Sequence, residues 1–138
     1  MPAPERYELP LAIRPDDIDE LGHVNNVVYV RWIQDAAVAH WQARASRQDR
    51  EARVWVVTRH EIDYKGPALP EDRLVARTWV GKASRLTFQR HTEIVRLPEE
   101  ETLVRARSVW VPLDPGTMRP AAVRDEVRER FSTGEGPR

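Results

Sequence analysis

The chain has 138 residues, the length of one domain with a real core. Its 22 basic and 22 acidic side chains cancel, and the arginines are scattered rather than clustered, so no nucleic-acid partner is expected. There is no cysteine, which excludes disulfides, thiolate catalysis and cysteine-held metals. No leader pattern and no membrane-length apolar run is present, so a cytoplasmic protein that does not enter a membrane is expected.

Residues 7–14 read as a first strand, with Tyr7, Leu9, Leu11 and Ile13 on one face and Pro10 implying a sheet edge or a bulge. An acidic loop follows, carrying Asp17 and Asp19, then a glycine turn at Gly22 and the pair Asn25 and Asn26. The asparagines stand where a helix N-cap belongs, Asn25 being the better capping candidate. From Tyr29 the apolar residues recur at Ile33, Ala36, Ala37 and Trp41, which predicts a long helix over 27–44. Val27, Val28 and Val30 are indifferent helix formers, so burial must hold its first turns. Arg31 and Asp35 fit an outward ion pair one turn apart.

Residues 47–52 read as a loop or a frayed helix end. Residues 53–65 alternate as a half-buried strand, with Val54, Val56, Thr58, His60, Ile62 and Tyr64 on one side. A strand over 73–82 puts Leu74, Ala76, Thr78 and Val80 together. A short hairpin leads into a strand over 85–96, where Leu86, Phe88, Thr92 and Ile94 alternate. A last strand covers 102–113. A short charged helix is expected within 121–131, and a disordered tail over 132–138. The chain therefore reads as one domain over 1–131, of α+β class: one apolar helix against one antiparallel sheet.

The central loop delivers carboxylates and an imidazole to the positive end of a helix. The first backbone N–H groups there lack intrahelical acceptors and suit a polarised or anionic oxygen. An acid beside an oxyanion donor is the minimum kit for acyl chemistry.

The run Asp17-x-Asp19-x-x-Gly22-His23-Val24-Asn25-Asn26-x-x-Tyr29 resembles the signature of the hotdog-fold thioesterases, in the branch of 4-hydroxybenzoyl-CoA thioesterase. The segment from Gly22 to Trp32 is also similar to the plant acyl-ACP thioesterases. Further likeness lies in the runs 62–68, 72–74 and 85–88, and it extends over about residues 7–120. The resemblance implies a long central helix wrapped by a five-stranded antiparallel sheet. It also implies an acyl-CoA substrate and a homodimer or homotetramer with active sites between subunits. No cofactor or metal is implied, coenzyme A being part of the substrate.

By the same resemblance Asp19 is the catalytic carboxylate, acting as nucleophile or as general base for water. Asn26 offers a backbone N–H to the thioester carbonyl, and His23 orients substrate or water. Gly22 and Asn25 shape the substrate side of the turn. Lys82, Arg85 and Arg90 are candidates for the phosphates of coenzyme A. Asp17 is assigned to holding the loop. The acyl-ACP branch reads Asp-x-Asn-x-His, whereas Leu21 stands at the middle position here, so that constellation is incomplete. The alternatives are an acyl-ACP thioesterase and a non-catalytic acyl-CoA-binding module. The five tryptophans are too scattered in sequence to predict an aromatic box; some line an acyl pocket and most belong to the core.

Overall fold

In a computed structural model, residues 6–133 are described. The order is β1 (Tyr7–Leu11), a 3-10 turn (Pro15–Asp17), α1 (Asn26–Arg44), α2 (Arg47–Ala52), β2 (Val54–Tyr64), β3 (Arg73–Ala83), β4 (Phe88–Leu97), β5 (Glu101–Leu113) and α3 (Asp125–Phe131). The strands form one five-stranded sheet in the order β1-β3-β4-β5-β2, every pair antiparallel. β1 and β2 are its edges, so Pro10 sits where a missing N–H costs least.

The sheet wraps α1, which packs on β1, β3 and β4. This is the expected α+β hotdog arrangement. The helix lays Tyr29, Trp32, Ile33 and Ala36 into the sheet, each at most 3 % exposed. Around its N-terminal half Tyr29, Trp32 and Ala36 meet Leu74, Ala76, Ile94 and Val104. Around its C-terminal end a second cluster joins Val80 and Phe88 to Val123, Val127 and Phe131. The α3 segment, expected from sequence as a short charged helix, gives Val127 and Phe131 to the core.

Four expectations change. The alternation of β2 does not run unbroken, because a bulge lies between Val57 and Arg59. Trp55 and Val57 face inward before it, His60 and Ile62 after it, and Val54 and Val56 turn outward. An inserted residue swaps the faces of a strand, which a strict two-residue period misses. Residues 47–52 form a separate helix, because the Ser46 side chain accepts from Asp49 N–H as an N-cap. Arg85 lies in a turn, not in a strand. Ser84 closes that turn onto Thr87 through backbone and hydroxyl contacts. Finally, the expected tail begins in order. Ser132 bridges to Val80 and Thr133 N–H donates to Val80 C=O. Its remaining residues lie outside the described ones.

Candidate active site

The loop before α1 is built by its own backbone. Asp19 N–H donates to His23 C=O and Gly22 N–H to Asp19 C=O, closing a tight turn. Gly22 completes it at φ +78°, a conformation other residues adopt only with strain. An added Cβ at Gly22 would meet nothing within 4 Å, so the glycine serves the turn rather than a close packing contact.

Asp17 rivets this loop to the helix. Both its carboxylate oxygens meet the Arg31 guanidinium at 3.0 Å, and Oδ2 also accepts from Arg14 N–H at 2.9 Å. Arg31 therefore turns to Asp17, not outward to Asp35 as the spacing suggests. The Arg31 bonds hold the Asp17 carboxyl below the ordinary carboxylate range, against the opposing effect of its burial. Asp17 C=O accepts from Asn25 N–H, and the Asn25 side chain accepts from Val27 N–H as the helix cap. The capping expectation for Asn25 holds. Nothing here leaves Asp17 free for chemistry.

Asp19 is held differently. Its Oδ1 accepts from Leu21 N–H at 2.9 Å and His23 N–H at 3.3 Å. Among the described residues its Oδ2 accepts from no donor. Asn26 N–H, the first of α1, likewise donates to none of them. The two share one cleft of about 380 Å³ with the His23 side chain. Half-buried Asp19 and a helix N-terminal donor thus line common space.

The opposite wall is the end of β2 and the segment after it: Tyr64, then Lys65, Gly66 and Pro67. It is tied to the loop by Val24 N–H to Ala68 C=O at 2.9 Å and by Ala68 N–H to the Tyr29 hydroxyl at 3.1 Å. The Tyr64 hydroxyl reaches Asn26 C=O at 3.4 Å. Sequence reasoning did not place these residues in the site. Their position at the end of β2, where the chain leaves the sheet edge, was the available signal.

The structure brings Asp19, Gly22, His23, Asn25 and Asn26 together, and it separates the other three candidates from them. Lys82 and the turn carrying Arg85 stand beside Val80 and Phe88, at the C-terminal end of α1, while the cleft stands at its N-terminus. A 19-residue helix is ~28 Å long, so one chain does not bring that turn to its own cleft. Arg90 is not at the surface of the hairpin at all. It shares the inward face of β4 with Phe88, Thr92 and Ile94, and it is 7 % exposed. Its Nη1 donates to His40 Nδ1 and Thr78 Oγ1. Among the described residues no group of three or more metal-ligating side chains gathers. No helix of the described residues is long and apolar enough to cross a membrane.

Comparison with known proteins bears on the fold and the family. Residues 13–131 match the thioesterase-like superfamily. The chloroplastic acyl-acyl carrier protein thioesterase ATL3 of Arabidopsis thaliana is 25% identical, over 92% of this chain and 68% of its own. A thioesterase from Thermus thermophilus, solved with coenzyme A and Zn, superimposes with TM-score 0.77 and 27% identity, covering 90% of both chains. The fold is also that of a 1,4-dihydroxy-2-naphthoyl-CoA thioesterase from Synechocystis, with TM-score 0.77, 18% identity, and coverage of 91% of this chain and 96% of that one. The chain belongs to the thioesterase-like superfamily and is a thioester hydrolase of hotdog fold.

Proposed function

We propose that the chain hydrolyses an acyl-CoA thioester to the free acid and coenzyme A, with Asp19 as its catalytic carboxylate. The observation that carries this is the division of labour at Asp19. Oδ1 is anchored by two amides, and Oδ2 is left open beside an uncommitted helix N–H. Asn26 N–H would donate to the carbonyl oxygen as negative charge develops on it. Oδ2 would take a proton from an attacking water, or attack the carbonyl carbon itself and give a mixed anhydride that water then opens. The carbon–sulfur bond breaks in either route, and the thiolate leaves and is protonated. The reaction as proposed calls for no metal and no redox group.

The active unit in this reading is a homodimer or a homotetramer. β2 is a free sheet edge with exposed Val54 and Val56, the kind of surface that pairs with a second copy. The test of the function is a hydrolysis panel of short, long and aromatic acyl-CoAs, with released thiol detected by a disulfide reagent. Asp19→Asn should lower kcat by about two orders of magnitude or more, the usual scale for an acid–base group. A variant that retains the wild-type rate removes Asp19 from the mechanism. Single-turnover hydrolysis in heavy-oxygen water identifies the nucleophilic route where water opens the anhydride at the Asp19 carbonyl, because only then does the Asp19 carboxylate carry the label.

A second reading, hydrolysis of an acyl carrier protein thioester, is favoured by the likeness to ATL3 across most of the chain. Matched acyl groups on coenzyme A and on carrier protein, compared by kcat/KM, decide between the two.

A further inference from the structure

A second pocket lies at the far end of α1 from Asp19, with a volume of about 260 Å³. Its walls are aromatic: Trp41 from the helix, Trp55 from β2, Phe88 from β4, Trp110 from β5 and Phe131 from α3. The rings lock together, Trp55 edge-on to Trp41 and to Phe88 with centroids 5.3 and 4.9 Å away. Half-exposed Val38 and Val54 stand at its mouth.

The polar side-chain groups in this wall are all donors. The Arg90 side chain lines the pocket and is 7 % exposed. Both of its hydrogen bonds use Nη1 and go to neutral acceptors, His40 Nδ1 at 2.9 Å and Thr78 Oγ1 at 3.0 Å. Accepting from Arg90 fixes His40 as the neutral tautomer protonated at Nε2. Among the described residues no acceptor meets Arg90 Nε or Nη2, and no carboxylate pairs with it. Burial is the one influence on its pKa, lowering it to about 10, so the guanidinium is still a cation at neutral pH. Among the described residues the buried indole Nε1 atoms of Trp55 and Trp110 also have no partner. Arg53 at the rim donates its guanidinium to the Ala122 and Ala52 carbonyls. A buried cation without a counter-charge is costly to keep, and so are two buried donors without acceptors.

We propose that this pocket binds a small carboxylate with an apolar body, such as a one-ring aromatic acid. The carboxylate sits against Arg90 and the ring lies among the tryptophans. An anion with two acceptor oxygens supplies what the wall lacks, both the charge and the lone pairs, in the planar geometry a guanidinium favours. The aromatic lining supplies area for a ring and excludes water, which strengthens the ion pair. The site shares no residue with the Asp19 cleft of its own chain.

The experiment is a titration of tryptophan fluorescence on the whole chain at neutral pH, with phenylacetate and with phenylacetamide, its neutral isostere. Phenylacetate should bind about tenfold tighter or more, the difference expected of one charge-assisted pair. Arg90→Met keeps an apolar stem and removes the charge, and it should erase the preference for the acid. Trp110→Phe, close in shape, should weaken the acid less. If Arg90→Met does not fold, the comparison of acid with amide on the unaltered protein still decides. Equal binding of the two ligands overturns the proposal. So does a preference that survives in a folded Arg90→Met, or no binding of phenylacetate at about 10 mM, weaker than the millimolar scale of a single anchored small ligand.

Discussion

Asp17 and Asp19 stand two residues apart on one loop, yet their surroundings give them opposite tasks. Asp17 spends both oxygens on Arg31 and Arg14, whereas Asp19 spends one on backbone amides and keeps the other. Their substitutions should therefore separate cleanly. Asp17→Asn breaks a charge-assisted pair and should cost about 1–3 kcal/mol of stability, read from denaturant melts, with kcat falling less than in Asp19→Asn. Asp19→Asn should leave the melt nearly unchanged. A stability loss at Asp19 with none at Asp17 would reverse the assignment. The acid limb follows the same logic. The folded-state pKa values of Asp17 and Asp49 are lowered, chiefly by hydrogen bonds from Arg31 and Arg124. Their stabilisation is complete above the unfolded carboxylate value, ~3.9, and is lost as pH falls through their folded values.

At the scale of elements, α1 is held to the sheet by a polar contact as well as by apolar ones. His40 is buried, stacks on Tyr7 with centroids 5.2 Å apart and accepts from Arg90 on β4. Burial, then the nearby Arg90 and Arg44 charges, push its pKa down to about 3. The unfolded chain protonates this histidine near its ordinary ~6.5, so between the two values the unfolded state holds one more proton and stability falls with falling pH. Half-buried His60, also shifted down by burial, acts in the same direction. Thermal melts should show a decline beginning near pH ~6.5, above the carboxylate limb. His40→Gln, whose amide oxygen can still accept from Arg90, should flatten it; an unchanged pH profile would show that another group sets this limb. Phe131 closes the same region from α3, against His40 and Trp41. Phe131→Ala should cost about 3–5 kcal/mol in an equilibrium melt, a core value rather than a surface one.

These elements also show where sequence was and was not informative. The cap at Asn25 and the helix face from Tyr29 were legible because capping chemistry and a 3.6-residue period are local. Arg90 was legible in principle, since it alternates with Phe88, Thr92 and Ile94, but its charge pointed the reading outward. The bulge in β2 had no local marker, because the mismatch arises only in pairing with β5. Nor did the tryptophans announce a pocket. Trp41, Trp55 and Trp110 lie on three elements and meet only through the fold. The burial of α3 rests on two apolar residues, Val127 and Phe131, too few to show a helical face.

At the scale of the whole molecule, the question is how the basic turn meets the cleft. β2 begins at the C-terminal end of α1, where Trp55 packs on Trp41, and ends at its N-terminus, where Tyr64 meets Tyr29. Two copies paired antiparallel along this edge by a two-fold axis exchange ends. The Lys82 and Arg85 turn of one copy then lies on the same side as the Asp19 cleft of the other. The two cations can serve the phosphates of coenzyme A only in that trans arrangement. Replacing both by alanine should raise KM more than it lowers kcat, because remote phosphate contacts bind ground state and transition state alike. Mixing makes the geometry testable. Asp19→Asn alone should be nearly inactive, and the Lys82→Ala/Arg85→Ala protein should be active at high KM. In a mixed dimer, one site receives a native Asp19 from one copy and a native basic turn from the other. Unfolding and refolding the two variants together should therefore restore hydrolysis at wild-type KM. Activity that never exceeds that of the separate variants at low substrate would show that each cleft draws its phosphate contacts from elsewhere.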